Sequence, residues 1–182
     1  MSAKVAINGL RAPVNVTWEM TLKCNLKCIH CLSDSGTPSA DELTTMECRA
    51  LIDQMTRMKV FQVNIGGGEP FIREDFPGLL TYAHDLGLVT CVSTNGLLID
   101  NSLARDLSQL KMLFLQVSLD GATAEVNDRI RGKGTYDKIL RAMEHLARHK
   151  VPFSINTVLT RVNFSQLEDL RELAASFGSE MR

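Results

Sequence analysis

Three thiols fall within eight positions, in the run Cys24-Asn25-Leu26-Lys27-Cys28-Ile29-His30-Cys31. Thiolates so close in sequence can wrap one face of a cubane iron-sulfur cluster, whereas a fully ligated cluster takes four cysteines. The fourth iron then keeps an open coordination position. That opening separates a metal that performs chemistry from one that only braces a fold, a distinction best known from zinc. The rival reading is a tetrahedral zinc site made by Cys24, Cys28, Cys31 and His30 or another histidine. Against it stands the spacing of three then two residues, unlike the repeated two-residue knuckle of zinc ribbons. The other two cysteines, Cys48 and Cys91, are remote from this run and read as core residues.

A second constellation is Gly66-Gly67-Gly68-Glu69-Pro70. Consecutive glycines permit backbone conformations and close ligand approach that a Cβ would forbid, which makes this run a candidate ligand cradle. It lacks the lysine of a P-loop and the spacing of a dinucleotide fingerprint. Its glutamate would also repel a phosphate. Ser93-Thr94-Asn95-Gly96 and Ser118-Leu119-Asp120-Gly121 are weaker signals, since Asn-Gly and Asp-Gly are common turn formers. Their recurrence beside the first two runs favours one shared pocket.

The elements that must position these residues alternate between short apolar runs and helical patterns, as in repeated βα units with a parallel sheet. The strands are expected at 14–19, 61–65, 89–93, 113–119 and 153–159. The run Leu113 to Leu119 is nearly continuously apolar, which predicts a strand buried on both faces. Thr44 and Glu47 form a capping box ahead of a helix burying Leu51, Ile52, Met55 and Met58. Further helices are expected at 76–86, stopped by Gly87, after Asp100 with Leu103, Leu107 and Leu110, at 136–149, and at 164–177, closed by Gly178. The polar connection from Asp120 to Thr135 is long for a βα loop, and such length is more often functional. Trp18 reads as packing, with a cofactor or substrate contact as the alternative. His84, His145 and His149 read as surface residues.

The chain has 182 residues, 45% of them hydrophobic and 23% charged, which suits one soluble globular domain with a real core. A formal net charge of -1 leaves no broad basic field, so no nucleic-acid partner is expected. No apolar run approaches the roughly 18 to 20 residues that cross a bilayer, and Met1 to Pro13 lacks the apolar core of a secretory signal. Five cysteines, crowded as they are, make a poor disulfide framework and suit a reducing compartment. A cytoplasmic protein without a membrane partner is the expectation.

With the cysteine run directly after the first strand, the chain resembles the radical S-adenosylmethionine (SAM) superfamily, whose signature is CxxxCxxC in that loop. The resemblance implies that Cys24, Cys28 and Cys31 ligate a 4Fe-4S cluster whose remaining iron is chelated by the amino and carboxylate groups of SAM. It implies that Gly67, Gly68 and Glu69 hold the methionine ammonium and that His30 stands near the adenine. It further places Ser93, Thr94 and Asn95 near the ribose, and Ser118 and Asp120 near the ribose or the methionine carboxylate. Arg131 matches an arginine that peptide-modifying members carry after the fourth strand, and its planar fork suits a carboxylate. No further catalytic side chain is implied.

The same resemblance implies an α/β fold: a partial (β/α) TIM-like barrel of parallel strands, ending after about five βα units. Residues 1–13 would be a lead-in and 14–182 the core, incomplete at its C-terminus and without the SPASM domain that carries auxiliary clusters. The implied activity is reductive cleavage of SAM to a 5'-deoxyadenosyl radical that abstracts a hydrogen atom from substrate. The runs Val14 to Glu19, Cys24 to Gly36 and Val63 to Pro70 are similar to those of the mycofactocin radical SAM maturases. Members of that family oxidatively decarboxylate the C-terminal tyrosine of a ribosomal precursor peptide and then join it to the preceding valine. A precursor peptide, a small peptide-binding chaperone protein and a flavodoxin- or ferredoxin-type reductant are the implied partners. Another SPASM-type peptide maturase, a zinc-braced binding module and a simple iron-sulfur electron carrier are the competing identities.

Overall fold

The computed structural model describes residues 12–111 and 113–182, and most of the lead-in expected at 1–13 lies outside the described residues. Six parallel strands stand in sequence order in one sheet: β1 Asn15–Thr21, β2 Gln62–Gly67, β3 Val89–Thr94, β4 Leu113–Ser118, β5 Phe153–Asn156 and β6 Glu180–Met181. The helices are α1 Thr45–Arg57, α2 Phe76–Asp85, α3 Asn101–Leu107, α4 Ala124–Arg131, α5 Tyr136–Arg148 and α6 Leu167–Ser176. Right-handed crossovers between strands laid down in sequence order put every connecting helix on the same side of the sheet. The sheet is not closed, and the architecture is that of a partial α/β barrel.

Strand alternation divides the sheet into two chemically distinct faces. Val63 and Ile65 of β2, Val92 of β3, and Leu115 and Val117 of β4 are buried together with Ile52, Met55, Leu79, Leu107, Met143, Leu146 and Leu170 from the helices. Each fully buried side chain of this kind contributes on the order of 1.5–3 kcal/mol. The opposite, inner face is largely polar, with Cys91 and Phe114 among its residues. There Gln62 Nε2 donates to Asn64 Oδ1 at 2.6 Å, Asn64 Nδ2 to Asn15 Oδ1 at 3.2 Å, and Ser93 Oγ to Gln116 Oε1 at 3.1 Å.

Local chemistry sets the element ends. Thr44 and Glu47 make the expected capping box on α1, with Thr44 N donating to Glu47 Oε2 at 2.9 Å and Glu47 N to Thr44 Oγ1 at 3.4 Å. Asp100 caps α3 by accepting from Leu103 N at 2.8 Å. Gly87 and Gly178 follow α2 and α6 with φ of 75° and 66°, the left-handed conformation that ends helices.

Four expectations are corrected. β4 is buried on one face only, because Phe114, Gln116 and Ser118 line the open inner face and remain half-buried. Met58, expected in the core, is α1's C-cap and is exposed. The connection from Asp120 to Thr135 contains α4, capped by Thr123 accepting from Val126 N; its polar sequence hides a helix whose buried positions are Asn127, Ile130 and Arg131. His145 is not simply a surface residue, since its Nδ1 is buried without a partner among the described residues. Trp18, Cys48 and Cys91 do belong to the buried interior.

Candidate functional site

At the C-terminal ends of the strands lies a cavity of about 330 Å³, the end of such a barrel where strand-borne side chains and loops converge. Cys24, Cys28 and Cys31 line it, with His30, Gly67, Gly68, Ser93, Thr94, Asn95, Ser118 and Arg131. Residues far apart in sequence thus meet at one place because each follows or ends a neighbouring parallel strand.

The cysteine loop is held at both ends. Gly36 N donates to Leu22 O at 2.8 Å, and Ile29 N donates to Ile130 O at 3.0 Å, which ties the loop to the end of α4. Glu42 closes the segment by accepting from Leu22 N at 2.8 Å and from Thr21 Oγ1 at 2.9 Å. Burial pushes the Cys24 and Cys28 thiols up, with Arg131 opposing it at Cys28. At Cys31 burial acts the same way, but hydrogen bonds from Ser35 and Ser33 outweigh it and the thiol lies below its ordinary value. Among the described residues, no three His, Cys, Asp or Glu side chains are grouped to hold a single metal ion.

The glycine run divides its labour. A Cβ at Gly67, whose φ is 109°, would collide with Thr21 O, and one at Gly68 would collide with Lys23 O. Those two positions are glycine so that the run can pack on the end of β1, where Gly68 N donates to Thr21 O at 2.6 Å and Glu69 N to Lys23 O at 2.9 Å. Gly66 alone leaves room, its nearest neighbour for an added Cβ being Ser93 Cβ at 3.8 Å. The close approach expected to serve a ligand therefore serves, at two of three glycines, the contact between cradle and cysteine loop.

Glu69 and Asp120 do not line the cavity; both are 0% exposed and brace it from behind. Glu69 Oε1 accepts from Thr94 Oγ1 at 2.8 Å and from Phe71 N at 3.2 Å, and its Oε2 accepts from Asn95 N at 2.7 Å. Burial still dominates and raises the Glu69 carboxyl from 4.5 to about 7. Asn95, fixed in this way, donates through Nδ2 to Asn25 Oδ1 at 2.7 Å and so reaches the cysteine loop.

Asp120 gathers three elements. Its Oδ2 lies 2.6 Å from His30 Nε2 and 2.6 Å from Arg131 Nε, while Oδ1 accepts from Val158 N at 2.9 Å. The contact with Arg131 is ionic and is not aligned as a hydrogen bond. Arg131, held by this contact, is also one of the residues that line the cavity.

Glu19, Ser33, Ser35, Asn156 and Val158, none of them among the expected site residues, also line the cavity. Asn156 ends β5 as Ser118 ends β4, opposite it in register, so extending the strand-end polar pattern by one strand would have found it. Glu19 lies beside a register shift between Glu19 and Thr21, a bulge of the kind that re-aims side chains, and only the structure reveals it.

Residues 18–174 match the family model for the radical SAM superfamily. The chain is 47% identical over 177 residues to the mycofactocin maturase MftC of Mycolicibacterium smegmatis, covering 96% of this chain and 45% of that protein. It is 36% identical over 171 residues to an AdoMet-dependent heme synthase of Methanosarcina barkeri, covering 92% of this chain and 49% of the relative. The chain thus spans about half the length of these relatives or less. Among solved structures, Streptococcus suis SuiB bound to S-adenosylmethionine superposes with a TM-score of 0.84 at 22% identity, covering 92% of this chain and 39% of that one. SuiB bound to its precursor peptide SuiA superposes with a TM-score of 0.83 at the same identity, covering 92% and 38%. The chain belongs to the radical SAM superfamily, whose cofactors are SAM and a 4Fe-4S cluster.

Proposed function

We propose that this chain is the SAM-cleaving part of a peptide maturase of the mycofactocin type, acting on the C-terminal Val-Tyr of a ribosomal precursor peptide. The supporting observation is the convergence of three thiols, a glycine cradle and an arginine on one cavity. The spacing of three then two residues between the thiols, unlike the repeated two-residue knuckle of zinc ribbons, suits a three-cysteine cluster better than one zinc. The higher identity to mycofactocin maturases, 47% against 36% for a heme synthase, favours the peptide over a porphyrin. SuiB, with its bound precursor peptide, offers a precedent for a peptide at this fold.

When bound, the cluster and SAM supply a one-electron cleavage of the sulfonium and a carbon radical that takes hydrogen from substrate. The chain's own residues bind and orient. Cys24, Cys28 and Cys31 hold the cluster. The carbonyls of the glycine run face the ligand's cationic end, and Arg131, aimed by Asp120, meets a carboxylate. Ser93, Ser118 and Asn156 offer hydrogen-bonding groups for sugar hydroxyls, and the His30 ring, fixed by Asp120, offers a flat face to a base. Glu69 locks Thr94 and Asn95, two residues of the cavity wall. Fixed orientation of this sort is the chief contribution a protein makes to cofactor chemistry.

The precursor peptide, its chaperone protein and a flavodoxin- or ferredoxin-type reductant are the partners of this proposal, and the cytoplasm is its setting. Among the described residues, no helix is long and apolar enough to cross a membrane. The test is anaerobic reconstitution with iron and sulfide, followed by reduction with SAM present. Release of methionine and 5'-deoxyadenosine supports the core chemistry, and loss of carbon dioxide from an added Val-Tyr precursor peptide supports the peptide assignment. A protein that retains zinc and has no affinity for SAM overturns both.

A further inference from the structure

The three thiols are not equivalent in their hydrogen bonding. Cys24 Sγ accepts from Leu26 N at 3.5 Å, with Asn95 Nδ2 at 4.0 Å. Cys31 Sγ accepts from Ser35 N at 3.4 Å and lies 3.8 Å from Ser33 Oγ. No hydrogen bond to the Cys28 thiol occurs among the described residues. Between the two serines Asp34 has φ of 46°, a left-handed conformation that Asp tolerates better than most residues. That reversal folds both serines back over the same sulfur.

Ser33 has a second attachment. Its hydroxyl donates to Gly67 O at 3.2 Å, and its oxygen lies 2.6 Å from Ser35 Oγ. Gly67 belongs to the cavity wall, so Ser33 stands between a candidate cluster ligand and the cradle. One hydroxyl carries one proton, and here three acceptors compete for it: a carbonyl, a sulfur and a neighbouring hydroxyl.

We propose that Ser33 and Ser35 tune the reduction potential of the cluster through Cys31, and that Ser33 couples this potential to occupancy of the cradle. This rests on the assignment of Cys31 as a cluster ligand and of the cavity as the SAM site. Donors to a ligand sulfur favour the reduced, more negative cluster and raise its potential. SAM carries an ammonium and a sulfonium. A cation held at the Gly67 carbonyl engages the oxygen that Ser33 now serves, which frees the hydroxyl to turn toward Cys31. SAM binding then raises the potential, and by reciprocity reduction tightens SAM binding by the same factor.

The test is an EPR-monitored redox titration of the reconstituted chain with and without SAM, comparing wild type, Ser33→Ala and Ser33→Thr. In the SAM-bound state Ser33→Ala lowers the midpoint by about 59 mV, a tenfold change in a one-electron equilibrium. It also reduces the SAM-linked rise, and Ser33→Thr, which keeps the hydroxyl, restores both. A Ser33→Ala midpoint and SAM-linked rise equal to those of wild type overturn the coupling while leaving the cluster and SAM assignment intact. A wild-type chain that loads no cluster, or loads one and binds no SAM, overturns that assignment as well.

Discussion

The Asp120 carboxylate stands 2.6 Å from the Arg131 guanidinium, with the two side chains 0% and 7% exposed. A buried charge pair of this kind adds little net stability over an apolar pair, but losing one partner strands the other. Asp120→Ala is therefore expected to destabilise the cofactor-free chain by about 3–5 kcal/mol in urea unfolding. Asp120→Asn, which keeps an acceptor for Val158 N, should lose less. An Asp120→Ala variant as stable as wild type would remove the ion pair from the account of how Arg131 is aimed.

Glu69 predicts a pH dependence. Its carboxyl titrates at about 7 in the folded chain against an ordinary 4.5, so between those values the folded state holds the proton more tightly than the unfolded state does. Stability supplied by that proton is full below pH 4.5 and declines as pH rises toward 7, by roughly 3 kcal/mol at most. Glu69→Gln should flatten this part of the profile, whatever it does to absolute stability. Denaturant unfolding of the cofactor-free chain across pH 4.5 to 7.5 is the measurement, and an identical slope in both proteins would contradict the assignment to Glu69.

What could be read from the residues was whatever is local. The capping box of Thr44 and Glu47, the stop at Gly87 and the strand-end cysteines depend on near neighbours, and each stands where the pattern placed it. Long-range geometry was not legible. Asn127 and Arg131 make α4 look like a polar loop, yet both are buried because Asn127 Oδ1 accepts from Asp120 N at 3.1 Å and Arg131 pairs with Asp120. Nothing in the run Gly67-Gly68-Glu69 announces that its glutamate is fully buried and bonded to Thr94 and Asn95; that follows from the donors at the end of β3 and just after it.

The glycine run yields a contrast between adjacent positions. Gly68→Ala places a Cβ against the Lys23 carbonyl, and neither backbone can retreat without breaking the 2.9 Å bond from Glu69 N to Lys23 O. Overpacking of this sort costs about 1–3 kcal/mol. Gly66→Ala meets nothing closer than 3.8 Å and should leave stability within about 0.5 kcal/mol of wild type. Its methyl group nonetheless intrudes on the cavity wall, so SAM affinity, measured by calorimetry on the reconstituted chain, should drop while the melting curve stays put. Equal melting curves for the two variants would show that the cradle does not depend on its packing against β1.

The cysteines give the sharpest separation between chemistry and packing. Cys48 is fully buried on α1 and holds Leu43 O through its thiol at 3.7 Å, while Cys91 is buried on β3; neither lines the cavity. A Cys48→Ala/Cys91→Ala chain should lose some stability, since each change empties part of a packed site. It should still take up as much iron and sulfide per chain as wild type. Cys24→Ala, Cys28→Ala and Cys31→Ala should each lose most of that iron, because two remaining thiolates cannot hold a cubane that already lacks its fourth cysteine. Iron and sulfide analysis of the four variants and wild type after identical reconstitution decides the matter. Retention of a full complement by any of the three single variants would mean that another side chain can stand in, and the assignment of that cysteine as a ligand would fall.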